Sequence, residues 1–290
     1  MSGTSYVCVN GSFRNMAEPV LYSQNRGFRY GDMLAEDIHA YATEPQFLHL
    51  HLELLRDGMK QLGMVIPESF STENFRNLIT RLLNKNRIYG GACIRLSVYR
   101  EGEGLASDSD QVSFLLESYP LASNYYLLNE RGMMIDICTE YVKPSGSFSS
   151  LSTASSLLHV MTSMHARKRG MDTLILLNNE GRLVEAAGHH VFLVNGSSVF
   201  TPGLKQGCSL TVMRQVVLDL ASQSDLNVNE ESNLTPVALE GAEEVFLVNA
   251  LAGIQWVGGY RQRRFYKKTA QILIKRLNDL AFGNGKYPLG

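Results

Sequence analysis

The sequence predicts a mixed α/β (α+β) chain folded as two domains, and three observations carry that expectation. Apolar patterns of period 2 and period 3.6 occur in both halves, so each half holds strands and helices. At 290 residues, 44% hydrophobic and 19% charged, the chain can bury two cores. A connector over residues 119–131 separates the halves, which gives an N-terminal domain over 1–118 and a C-terminal domain over 132–290.

The N-terminal half opens with a strand over 6–9 turned by Asn10-Gly11, a hairpin dipeptide. A strand over 35–41 follows. A helix over 47–62 carries Leu52, Leu55, Met59 and Leu62 on one face and ends at Gly63. Phe47 and Leu54 lie on its other side, which predicts that both sides are covered. A second helix over 72–83 has Phe75, Leu78, Ile79 and Leu82 as its stripe and Ser71 as its cap. Strands over 92–99 and 111–117 complete this half.

The C-terminal half predicts strands over 134–141, 173–177, 183–185 and 190–194, with Asn179-Glu180-Gly181 turning the second into the third. Helices fit 155–169, 210–222 and 266–280. Trp256 and the basic run Arg261 to Arg264 fit a β-hairpin and its solvated turn.

Composition excludes several classes. Net charge is −1 with scattered Lys and Arg, which argues against a nucleic-acid surface or a basic membrane face. No apolar run reaches the roughly 18 residues of a membrane helix, and the N-terminus lacks signal-peptide character. Cys8, Cys93, Cys138 and Cys208 form no CxxC pair and have no His at metal spacing. They read as reduced thiols of a cytoplasmic protein, with no metal site.

The stretch Arg26-Gly27-Phe28-Arg29-Tyr30-Gly31-Asp32 resembles a signature of the class-IV aminotransferase family. That family comprises branched-chain and D-amino-acid aminotransferases and aminodeoxychorismate lyase, the fold-type IV pyridoxal-phosphate (PLP) enzymes. Further matches follow in the family's order: Ala92-Cys93-Ile94-Arg95-Leu96 with Arg100, Leu183-Val184-Glu185, Thr201-Pro202, Met213-Arg214, and 242–247. Each piece is weak alone; six in order, spanning about residues 5–275, are specific. The resemblance implies a two-domain D-amino-acid-aminotransferase-like fold, a homodimer, and PLP in an interdomain cleft. It also implies an imine-forming lysine, a carboxylate facing the ring nitrogen, and an arginine with helix N-terminal amides holding the phosphate.

Carried over residue by residue, Glu185 matches the carboxylate. Tyr30 and Arg95 match substrate-pocket positions, and Arg95 could hold a small carboxylate ligand or pair with a nearby Asp or Glu. Asn249, Ala250 and Leu251 occupy a segment of the phosphate cup, beside Thr211 and Val212 at a helix start. His190 stands where asparagine is common and Ala35 where phenylalanine is common, while His51, His189 and His190 are polar groups expected near the cleft.

Three positions depart from the pattern. The lysine position falls on Ser152, which with Thr153 reads locally as a helix N-cap. The phosphate arginine falls on Leu54, a loss of about 1.5–3 kcal/mol of charge-assisted hydrogen bonding. Arg56 points to another side of that helix. The phosphate glycine falls on Thr211. Neither Lys143, nine residues upstream, nor Lys168, on an exposed last turn, has the spacing of the missing lysine. The expectation is a family member with a vestigial PLP site, no bound cofactor, and a binding, scaffold or repurposed role as a homodimer. The alternative is a working PLP aminotransferase or aminodeoxychorismate-lyase-like enzyme with a displaced lysine.

Overall fold

A computed structural model describes residues 5–105 and 109–283. The chain divides into two compact units, Met1–Tyr125 with Ser152–Ser155, and Tyr126–Leu151 with Ser156–Gly290.

The first unit is a six-stranded antiparallel sheet backed by helices. Strands β1 (Tyr6–Val9) and β2 (Ser12–Asn15) form the hairpin announced by Asn10-Gly11, whose φ angles of 49° and 85° are both positive, as its tight turn requires. After helix α1 (Arg26–Tyr30) come β3 (Met33–Tyr41), β4 (Glu44–Pro45), α2 (Leu48–Gln61), α3 (Thr72–Asn86), β5 (Ala92–Arg100) and β6 (Val112–Pro120). The sheet order is β2-β1-β6-β5-β3-β4. Helix α2 packs on β3 and α3 on β1 and β6, so Leu52, Leu55, Met59, Phe75, Ile79 and Leu82 are buried against the sheet. Ser71 caps α3, its side chain accepting from the Asn74 amide at 3.2 Å. Phe47 and Leu54, on the other side of α2, are half-buried.

The signature around α1 is a packing device. Asp32 Oδ2 accepts from Arg26 Nε at 2.9 Å and Arg100 Nε at 3.1 Å. Gly31 closes the helix at φ 69°. A Cβ on Gly27 would stand 3.2 Å from the Cβ atoms of both Met33 and Tyr99, so glycine lets α1 lie close against β3 and β5.

Residues 152–155 correct an expectation. The spacing predicted a helix from 155 with Ser152 and Thr153 as caps. Instead the Ala35 amide donates to the Ser152 carbonyl at 2.8 Å and the Ala154 amide to the Met33 carbonyl at 2.9 Å. This short extended run fills the start of β3, where the two-residue β4 leaves an open edge. The helix begins later, at Leu157, and its Ser156 cap makes no side-chain hydrogen bond.

The second unit is built on a nine-stranded mixed sheet. Strand β7 (Met133–Val142) leads through α4 (Leu157–Lys168) to the parallel β8 (Thr173–Leu177), and a hairpin gives β9 (Leu183–Ala186). Next come β10 (His190–Asn195), β11 (Ser198–Pro202), α5 (Val212–Ser222), β12 (Asn227–Ser232), α6 (Pro236–Gly241), β13 (Glu244–Asn249), β14 (Gly253–Tyr260), β15 (Arg263–Arg264) and α7 (Lys268–Phe282). The order is β12-β11-β10-β13-β14-β7-β8-β9, with β15 beside β14. A bridge between Ala186 and His189 returns β9 to the side of β10, so the sheet curls and every residue of β9 is buried. Inside the curl lie Ile135, Ile175, Leu183, Val191, Val245 and Leu247. All four cysteines are free and buried. Among the described residues no helix is long and apolar enough to cross a membrane, and no group of His, Cys, Asp and Glu could hold a metal ion.

Candidate functional site

Glu185 is the centre of the second unit's chemistry. It lies on β9 at 3% exposure, where an ionised carboxylate survives only if it is paired and hydrogen-bonded. Oε1 accepts from Lys143 Nζ at 2.7 Å, from His159 Nε2 at 2.8 Å and from the Ser209 hydroxyl at 3.3 Å. Oε2 accepts from the Ser209 amide at 2.8 Å. Burial by itself raises the carboxyl's pKa, but the His159 hydrogen bond and the charge of Lys143, with smaller contributions from His190 and His159, outweigh it. The group is held at about 2 and is ionised at neutral pH.

Lys143 is the residue that spacing along the chain could not find. It follows β7, and its own amide donates to the Leu177 carbonyl at 2.9 Å. Between the pairs Ile137–Ile175 and Val142–Leu177 the β7–β8 register shifts, because β7 advances five residues while β8 advances two. Such a bulge re-aims the side chains that follow it, and here it turns Lys143 inward to 8% exposure. The ammonium also donates to Ser209 Oγ at 2.9 Å. Ser209 is brought there by the turn before it: Gly207, at φ 102°, packs against Pro144 and Ser145, and the Leu210 amide donates to the Ser150 carbonyl at 2.9 Å. His159 lies on the first turns of α4, with its side chain 31% exposed. The sequence carried no periodic or motif signal for Lys143, His159 or Ser209; their grouping follows from the bulge and the curl.

Thr211 caps α5, accepting the Arg214 amide at 3.3 Å, and its hydroxyl faces His190 Nε2 at 2.8 Å. Burial lowers the His190 pKa to about 4, so the ring is neutral where it meets the threonine hydroxyl. Val212 is the buried first residue of α5. Asn249 Oδ1 accepts from the amides of Leu251 and Ala252 at 3.1 and 2.7 Å, closing the turn next to Ala250 on its own side chain. Arg214 is a buried structural arginine that donates to the carbonyls of Pro202 and Glu230. His189 Nδ1 lies 3.0 Å from the Ala187 carbonyl.

The remaining positions lie in the first unit. Arg95 pairs across the sheet with Asp37 at 2.9 Å, and both side chains are more than a third exposed. Tyr30 ends α1 and is 42% exposed. His51 Nδ1 meets Glu36 Oε2 at 2.7 Å, both buried. Leu54 sits on α2, and the Arg56 guanidinium is taken by the Phe70 carbonyl and ring. Ser152 lies on the edge run beside β3.

Comparison with known proteins agrees with this architecture. Residues 33–259 match the family model for amino-transferase class IV. The aminodeoxychorismate lyase of Bacillus subtilis is 26% identical over 256 residues, 86% of this chain and 84% of that protein. A branched-chain aminotransferase from Thermoproteus uzoniensis, solved with norvaline, superposes with a TM-score of 0.85 at 23% identity, covering 98% of this chain and 97% of that one. The branched-chain amino acid aminotransferase of Escherichia coli gives 0.85 at 18% identity, over 98% and 97% of the two chains. With the family model covering most of its length, the chain belongs to the class-IV aminotransferase family.

Proposed function

We propose that this chain is a class-IV aminotransferase homologue that forms no imine with PLP and carries out no transamination, and that it serves as a binding or scaffold protein. The observation that carries this reading is the ammonium of Lys143 on Glu185 at 2.7 Å. The carboxylate expected to face a protonated ring nitrogen already has a cation and three further donors. A second cation there would be repelled by the first. Supporting it, Ser152 cannot form an imine, and Leu54 offers no charge for a phosphate. The Thr211 and Asn249 side chains take up amides at the two backbone segments matched to the phosphate cup. These residues do not fit PLP.

The test is incubation of the purified protein with PLP, absorbance in the imine band, borohydride reduction and peptide mapping. The expected outcome is no covalent adduct. One observation favours the alternative of a displaced imine lysine: Lys143 is a buried amine at Glu185. An adduct mapped to Lys143 would establish that alternative and overturn the first reading. The assembly proposed is a homodimer, with the half-buried Phe47 and Leu54 side of α2 as its contact face. Sedimentation giving a stable monomer would exclude it.

A further inference from the structure

We propose that Glu185, His159 and Ser209 form a binding site for a primary ammonium group, and that Lys143 is its tethered occupant. The inference rests on the reading above, in which the Lys143 amine is free of PLP.

The donors around Glu185 are the Lys143 ammonium, the His159 ring, and the amide and hydroxyl of Ser209. The Ser209 amide and hydroxyl supply hydrogen bonds without charge, and burial keeps the neighbouring His190 neutral. A buried carboxylate in that setting needs a cation, and a lysine ammonium brings three donors on one compact charge. Two of the three are placed, at 2.7 Å on Glu185 Oε1 and 2.9 Å on Ser209 Oγ. Lysine is almost never buried without such a partner, so the burial of Lys143 is itself a consequence of the site.

The frame of the site does not depend on the ammonium. The backbone at Lys143 is fixed by its amide bond to the Leu177 carbonyl, and the following residues are fixed by their packing on Gly207 and by the bond between Leu210 and Ser150. Shortening the side chain to alanine therefore leaves an opening shaped like the missing atoms, a three-carbon chain ending in an ammonium. The partly exposed ring of His159 marks the side from which a small molecule reaches the carboxylate. The ligand class follows from the geometry: an unbranched primary alkylammonium fits, a neutral alcohol of the same length lacks the charge, and a quaternary ammonium lacks the N–H groups.

The experiment uses the full-length Lys143→Ala protein with n-propylammonium as probe, and n-propanol and tetramethylammonium as controls, read by thermal shift and calorimetric titration. The expected result is binding of n-propylammonium roughly ten- to hundredfold tighter than n-propanol, the ratio set by one charge-assisted hydrogen bond. The wild type, Lys143→Met and Lys143→Ala/Glu185→Gln should show no such preference. If Lys143→Ala folds poorly, the same comparison is made on the yield of soluble protein refolded with each compound, and n-propylammonium should restore it where n-propanol does not. Equal effects of amine and alcohol, or an equal response in Lys143→Met, would overturn the proposal. A borohydride-fixed adduct in the wild type would instead overturn the functional reading. The amine preference of Lys143→Ala, which has no amine at that position, still decides the proposal in that case.

Discussion

Replacing Glu185 with glutamine removes the anion from a buried ion pair and leaves the Lys143 ammonium behind. At neutral pH the cost is about 3–5 kcal/mol, the usual penalty for breaking one side of a buried pair. The pH dependence is more diagnostic than the size. The carboxyl of Glu185 is held at about 2 against an ordinary 4.5. A carboxylate whose folded pKa is depressed contributes stability that is present above the unfolded value and is lost as pH falls toward the folded one. At about 1.4 kcal/mol per pH unit, the contribution lost between about pH 4.5 and pH 2 is on the order of 3 kcal/mol. Urea unfolding followed by the fluorescence of Trp256, the single tryptophan, reports on the unit that contains the site. The wild type should be far more stable than Glu185→Gln near neutrality, and the gap should close through that acid window. A gap that stays constant as pH falls would refute the buried pair, because a carboxylate not held by Lys143 and His159 would not titrate so low.

Other expectations follow from the same geometry. His190 is buried and neutral with a pKa of about 4 against 6.5, so the unfolded chain takes up its proton first and stability is lost as pH falls from about 6.5 toward 4. His190→Gln should flatten the stability curve in that window, and an unchanged slope in urea titrations would contradict the assignment. Gly27→Ala places a Cβ 3.2 Å from Met33 and Tyr99, and should cost about 1–3 kcal/mol in chemical denaturation; a neutral effect would mean that α1 is loosely held. Arg95→Gln breaks a half-exposed pair and should cost less than about 1 kcal/mol. A larger loss would show that Arg95 does more than pair with Asp37.

The regular elements were legible because short-range periodicity determines them. The stripe Leu52, Leu55, Met59 marks the buried face of α2, and Asn10-Gly11 marks a turn that only residues tolerant of positive φ can make. The segment at 152–155 was misread for a physical reason. Hydroxyl residues ahead of a helix satisfy orphan amides equally well on paper, yet here an open sheet edge over a hundred residues away offers stronger partners. Nothing local to Ser152 encodes that edge. The place of Lys143 beside Glu185 is illegible for a related reason: it follows from the bulge in β7, which nothing in the local sequence marks.

The meaning of Glu185 changes accordingly. In register with its family, a buried carboxylate is an argument for the ring cation it would face. On electrostatic grounds it is an argument only for some cation, since an uncompensated charge at 3% exposure would protonate or unfold the strand that bears it. Lys143 supplies that cation from within the same unit, with Ser209 and His159 completing the shell. The presence of the carboxylate therefore needs no cofactor to explain it, and it is compatible with a serine at position 152. The distinction is experimentally sharp, because a site satisfied by an ammonium selects for amines when its lysine is shortened. A site waiting for a phosphate-bearing ring would do so only by accident.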